Sequence, residues 1–333
     1  MNAFRWWGLA MGLGALLVAP LVLTRDLVTA LLFTFLLITL ACNYDLLGGF
    51  LGLYNLGQAT FFGIGAYTTF LLLLRVPTLG EAGPAGVAAA VLSGGLVAAG
   101  FAAIVAYPLL RLRDAYFAVA TFALLLLLRL LVDNLPDLTG GSHGLYVPAQ
   151  HYLSLRAAYL LTLALAVGSL ALNHLLAGSR LGLAMTAIRE SELASEASGI
   201  DRFRTKQTAL ALGAMPTAMA GGVFGLHSGY IDVSVVLGAD RSLFPVIAAM
   251  IGGSGLVWGP VVGAVTLRGI DVVLKNYVQL PIPAIAVYGV ILLVISLVMP
   301  RGVLVALGAR PRGRVAARSA PADAAPAGAG TQR

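Results

Sequence analysis

The side chains able to do chemistry in water are concentrated in one place. Residues 180–206, RLGLAMTAIRESELASEASGIDRFRTK, carry nine of the chain's 21 basic and 14 acidic side chains. Nearly everything around them is apolar. From Leu183 to Ser198 there is no proline or glycine, and Ala, Leu, Met, Arg and Glu favour helix. A helix is therefore expected, with Gly199 as a stop just past its end. Ala184, Ala187, Ile188, Ala194, Ala197 and Ile200 form a broken apolar stripe, and Arg189, Glu190, Glu192 and Glu196 lie largely off it. Glu192 and Glu196 are one turn apart and like-charged, which slightly disfavours an isolated helix. A partner supplying positive charge would repair that. A helix resting on a membrane surface is the alternative. Such helices carry Lys and Arg on their polar face, whereas this one is acidic in its middle, so docking to a partner is the better reading.

Other chemistry is scarce. There is no P-loop, and the only lysines are Lys206 and Lys275. No H-E-x-x-H occurs, and His143, His151, His174 and His227 are scattered. Cys42 is the only cysteine, which excludes an intrachain disulfide and a cysteine metal cluster. No cofactor and no metal are expected in this chain. The net charge of +7 does not point to nucleic acid, because Lys and Arg sit at span ends and in the tail.

The elements that must position these residues are membrane helices. The chain is 59% hydrophobic and 11% charged, with a mean hydropathy of +0.92, and many runs approach the roughly 20 apolar residues that cross a bilayer. Backbone groups in lipid must be satisfied internally, and runs such as LLLLLRLLV (124–132) do not alternate as barrel strands do. The fold class expected is an all-α, polytopic helical membrane protein. Spans are placed near 6–23, 27–47, 50–74, 84–107, 116–132, 156–176, 208–229, 243–255, 258–274 and 284–299. Arg and Lys in the short loops put 111–113, 180–206 and the tail in the cytoplasm. That assignment needs a turn at GGSGLVWG (252–259), giving ten crossings with both termini cytoplasmic. Residues 1–307 form the transmembrane domain. Residues 308–333, rich in Pro, Ala, Gly and Arg, have almost nothing to bury and are expected to be disordered.

An ion-coupled carrier places acids or bases at membrane depth. Here Asp45 lies near the end of a span, and Arg268, Asp271 and Lys275 share one helix face near its end. No span has a clear central acid. Two glycine-rich stretches stand out. In YNLGQATFFGIGAYTTF (54–70), Gly57 and Gly63 let helices approach closely, while Gln58, Thr60 and Tyr67 bring polar groups beside Phe61 into an apolar span. A solute path and tight packing with polar glue both fit. In MIGGSGLVWGPVVGAV (250–265), Gly252, Gly253, Gly255 and Gly259 cannot make a straight helix, and a hinge and tight packing both fit. The loop DNLPDLTGGSHGLYVP (133–148) is rich in turn formers, with Thr139, Gly140 and Gly141 at its centre. It is a candidate outer docking surface.

Taken in order, LGQATFFGIGAYT (56–68), LRLRDAYFAVATFALLLLLRL (110–130), LTGGSHGL (138–145), AIRESELASEASGID (187–201) and IGGSGLVWGPVVGA (251–264) with PRG (300–302) resemble the permease subunits of bacterial branched-chain amino acid ABC importers. The resemblance covers most of residues 40–305 and leans to the LivM-type subunit. It implies an inner-membrane importer with a second, LivH-type permease, two cytoplasmic ATPases that bind the ATP, and a periplasmic solute-binding protein. It also implies that 187–199 is the helix coupled to an ATPase, with Ile188, Arg189, Glu190, Glu192, Glu196 and Gly199 as its working residues. Gln58 stands where many relatives have histidine, and Gly199 is off the register of the coupling motif of other importers. A stand-alone gradient-driven carrier or channel is the alternative reading.

Overall fold

The computed structural model describes residues 3–112, 114–273 and 302–306. The expected span near 284–299, Lys275 and the tail from 308 lie outside the described residues. Helices dominate. In order they are α1 (Ala3–Val22), α2 (Arg25–Asp45), α3 (Gln58–Arg75), α4 (Pro77–Glu81), α5 (Gly83–Leu109), α6 (Asp114–Asp133), α7 (Pro136–Thr139), α8 (Leu155–Ala177), α9 (Arg180–Glu190), α10 (Glu192–Ala197), α11 (Arg202–Ser228), α12 (Val233–Val236), α13 (Asp240–Gly252), α14 (Gly259–Val273) and α15 (Val303–Ala306). The strands β1 (Leu145–Tyr146) and β2 (Tyr230–Ile231) pair antiparallel, Leu145 opposite Ile231. The protein is a multi-pass membrane protein. Among the described residues six stretches are long and apolar enough to cross a bilayer: 25–51, 83–109, 115–133, 155–177, 202–228 and 233–252. The expected spans 6–23, 50–74 and 258–274 fall on α1, α3 and α14.

Two boundaries differ from expectation, each for a local reason. The span expected at 50–74 starts only at Gln58. Residues Leu46–Leu51 instead extend α2 as a π-helical turn, which Gly52 ends at φ 75°. The chain then runs irregularly, with Asn55 Oδ1 accepting from Gly57 N at 2.9 Å. The single helix expected over 183–198 is two. Ser191 is extended (φ −160°, ψ 114°) and its hydroxyl accepts from Ala194 N, so it ends α9 and caps α10. The glycine stop is as expected, with Gly199 at φ 80°.

The core is built on backbones in contact. Added methyl groups at Gly65 or Gly221 would overlap the carbonyls of Ala218 or Phe62, so α3 and α11 touch without side chains between them. Gly94 and Gly95 let α5 pack on the same pair. Around them Phe62, Phe70, Phe224, Ala66 and Val91 are buried in one cluster. A second cluster joins the end of α2 to α9 through Leu46, Leu47, Met185, Ile188 and Leu210. The α13–α14 hairpin closes equally tightly, because methyl groups at Gly252 or Gly263 would overlap the carbonyls of Gly259 or Ala248.

Candidate functional site

The charged hairpin α9–α10 sits at the end of the bundle where α2 finishes. Its inner face is apolar: Met185 and Ile188 are buried in the second cluster. Its outer face is exposed, and includes Glu190, Leu193, Glu196 and Gly199. Leu193, at 79% exposure, is an apolar side chain aimed at water. Leu183 is similarly exposed. Neither is among the residues that the sequence singles out. Their signal was an apolar residue on the charged face.

The Glu192–Glu196 repulsion is relieved within the chain rather than by a partner. Arg202 bridges both carboxylates, at 3.1 Å to Glu192 and 2.7 Å to Glu196. Lys206, nearly buried on α11, donates to the other oxygen of Glu192. This hydrogen bond from Lys206, with the charges of Lys206 and Arg202, holds the Glu192 carboxyl below its ordinary range against the opposing effect of burial. The hairpin is thereby clipped to the start of α11. Glu190 makes no ion pair among the described residues.

Arg189 turns the other way. Its guanidinium donates to the Gly49 carbonyl in the π-helical turn. Gly49 itself lies against the Asp45 carboxylate and the Gly255 amide, close enough that a side chain there would overlap both. Asp45 is fully buried and accepts from Gly255 N with both oxygens, at 3.0 and 3.2 Å. Arg189, Gly49, Asp45 and Gly255 therefore form one junction between the charged hairpin, the end of α2 and the α13–α14 turn. Gly253 (φ 111°) and Gly255 (φ 81°) hold conformations that a side chain would strain. Gly252 and Gly259 supply the close helix contact.

Gln58, Thr60 and Tyr67 of α3 are all inside the packing. Gln58 Nε2 donates to the Leu40 carbonyl (3.0 Å) and the Thr217 hydroxyl (3.2 Å). Gly57 backs onto the Thr121 carbonyl, Gly63 lies against Leu237, and Phe61 is buried. The hydroxyls of Thr60 and Tyr67 are buried without a hydrogen-bond partner among the described residues. Ser242 of α13 accepts from Ala59 N at 2.9 Å and so satisfies the first turn of α3.

At the opposite end, the 133–148 loop is folded on itself. Thr139 donates to the Val132 carbonyl (2.6 Å) and accepts from Gly141 N (3.2 Å). Thr139 and Gly141 are buried, Gly140 sits at φ 73°, and Ser142, His143 and Tyr146 face outward. Gly140–Gly144 has the spelling G-x-S-x-G, but a short helix precedes it and a strand follows. A nucleophile elbow needs the reverse order. Among the described residues no three His, Cys, Asp or Glu side chains are grouped to hold a metal. Arg268 and Asp271 pair at 2.8 Å on α14.

The family model described as branched-chain amino acid transport system / permease component matches residues 27–299. The chain belongs to this family. It is 28% identical over 280 residues to the high-affinity branched-chain amino acid transport system permease protein LivM of Escherichia coli K12, covering 74% of this chain and 63% of that one. It thus spans less than two thirds of its LivM relative. To the corresponding LivH of Salmonella typhimurium it is 25% identical over 290 residues, covering 80% of this chain and 90% of the relative. No solved structure matches.

Proposed function

We propose that this chain is the transmembrane permease subunit of an ATP-driven importer for branched-chain amino acids or a related small polar solute in the bacterial inner membrane. It works with a second, LivH-type permease, two cytoplasmic ATPases and a periplasmic solute-binding protein. ATP is bound by the ATPases, and this chain holds no cofactor of its own. The observation that carries the reading is the α9–α10 hairpin. It is a charged structure with an exposed leucine, clipped to α11 by Glu192 and tied through Arg189 to α2 and the α13–α14 turn. A surface so connected can receive a push and pass it into the bundle. Both termini and the hairpin face the cytoplasm, and the loop carrying Thr139, Gly140 and Gly141 faces the binding protein.

In this mechanism the solute is delivered near residues 138–146. ATP binding draws the ATPases together and displaces the hairpin. The displacement reaches Gly252–Gly259 through the Asp45 junction, and the helices exchange outward for inward access. The unpartnered hydroxyls of Thr60 and Tyr67 would gain hydrogen bonds when the path beside α3 opens. The test is uptake into proteoliposomes holding both permeases and the ATPases, with the binding protein outside. Accumulation of L-leucine that requires ATP supports the reading. Uptake that persists without ATP and follows a proton gradient refutes it.

A further inference from the structure

At the end of the bundle away from the charged hairpin, α2, α13 and α14 enclose a cleft of about 520 Å³. That is within the range of small-molecule sites. Phe33, Leu36, Leu37 and Leu40 of α2 and Phe62 of α3 make its apolar wall. Asp26, Asp240, Arg241, Arg268 and Asp271 bring charge of both signs to it.

Arg241 is the unusual member. Its guanidinium lies over the rings of Phe224 (4.5 Å) and Phe62 (5.5 Å). Among the described residues only its Nε is engaged by polar groups, with the Val235 carbonyl at 3.4 Å and Asp240 at 3.8 Å. Both are long for a charged donor. Its two terminal nitrogens make no hydrogen bond among the described residues, so a fork suited to a carboxylate is held in place by aromatic faces and left unfilled. Arg268 lines the same cleft but is committed to Asp271 at 2.8 Å. Asp26, in the first turn of α2, makes no ion pair among the described residues. Pro245, also in the wall, has no N–H to give the Arg241 carbonyl, which removes that oxygen's usual helical donor.

We infer that this cleft binds a small zwitterion with an aliphatic side chain. The Arg241 fork takes its carboxylate, Asp26 and Asp240 face its ammonium, and the α2 wall holds its side chain. The inference rests on the permease reading, and it makes Arg241 a determinant of solute choice carried by this chain alone. Both charges of the solute must find opposite charge here, because an unpaired charge leaving water is costly. The aliphatic wall favours a leucine-sized group over a polar one of equal length.

The experiment uses the full chain in lipid nanodiscs with Cys42→Ala and Ala30→Cys, which places one thiol in the cleft wall. The rate of labelling by N-ethylmaleimide is measured against added L-leucine, isoamylamine (no carboxylate) and 4-methylpentanoate (no ammonium). L-Leucine should slow labelling, and the two half-ligands should do so far less. Arg241→Gln should raise the half-protecting leucine concentration about 10- to 100-fold, the loss expected for a charge-assisted pair, and Arg241→Lys should recover part of it. The half-ligand comparison is made with Arg241 intact and needs no folded variant. Absence of protection by L-leucine overturns the assignment, as does isoamylamine protecting equally well. ATP-driven uptake is read separately. Uptake without protection removes the cleft and keeps the permease, whereas protection with ATP-independent uptake does the reverse.

Discussion

The junction at Asp45 gives the sharpest prediction. Asp45 is fully buried, and both its oxygens contact the Gly255 amide from 210 residues away in the chain. Asp45→Ala removes the acceptor and leaves a part-buried N–H unpaired. A hydrogen bond to a charged group contributes about 1.5–3 kcal/mol, and that range is the cost expected here. If the bond holds the α13–α14 turn shut, its loss makes local opening about 10- to 140-fold more frequent, at about 1.4 kcal/mol per tenfold. The assay is hydrogen exchange read by mass spectrometry on a peptide covering 250–260 in detergent or nanodiscs. Asp45→Asn keeps an oxygen that can accept, so its effect should fall between wild type and Asp45→Ala. Exchange over 56–74, on α3, should not change. An Asp45→Ala chain whose 250–260 peptide exchanges like wild type would refute the reasoning. So would equal acceleration of α3, because the bond would then support the whole fold and not the turn.

Other predictions follow from the same geometry. On the proposed function, Leu193→Asp should weaken ATPase binding at least about tenfold, since an exposed apolar side chain of the hairpin is lost. Co-purification measures that, and the thermal midpoint of the isolated chain should stay put. Arg202→Ala should cost no more than about 1 kcal/mol, because its two carboxylate partners are half-exposed and screened. Glu192→Gln should cost more, since it leaves the nearly buried Lys206 ammonium unpaired. Folding lowers the Glu192 pKa, so the unfolded chain binds more protons as pH falls. Its contribution is complete above the ordinary glutamate value and is lost as pH drops through the lower folded value. Melting curves between neutral and strongly acidic pH should show that loss in wild type and not in Glu192→Gln. Gly65→Ala should abolish a well-behaved fold, because the methyl meets the Ala218 carbonyl. Gly100→Ala meets nothing and should stabilise by about 0.5–1 kcal/mol.

How much of this was legible depended on whether the cause was local. The α13–α14 turn could be read from GGSG because glycine and proline interrupt a helix wherever they stand. The charged hairpin could be located because nothing else in the chain is so polar. Its break at Ser191 could not, since the segment has no glycine or proline and the serine acts only by folding its hydroxyl onto Ala194 N. LLGGFL (46–51) reads as the end of one span and the start of the next, and only the contacts of Gly49 with Asp45 and Gly255 make all of it the end of the first. Glu192 and Glu196 looked in need of an external cation because Arg202 lies beyond the glycine stop. Gln58 stands out in the sequence as a polar group in an apolar span, where a solute path and polar glue both fit. Its partners, the Leu40 carbonyl and Thr217, come from two other helices, and no pattern near residue 58 announces them.

The bare-backbone contact between α3 and α11 has a consequence for how the molecule can deform. Side chains between helices act as compliant spacers, since they can change rotamer and let the helices slide. Gly65 against Ala218 and Gly221 against Phe62 leave no such layer. The two helices therefore respond to load as one beam, with its near end clipped to the charged hairpin through Lys206 and its far end at the β1–β2 pair. Beyond Pro216, which interrupts α11 midway along its roughly 40 Å (27 residues at about 1.5 Å each), any tilt of α11 must carry α3 with it. A tilt that reaches this half of α11 thus shifts the loops at the opposite surface through both helices.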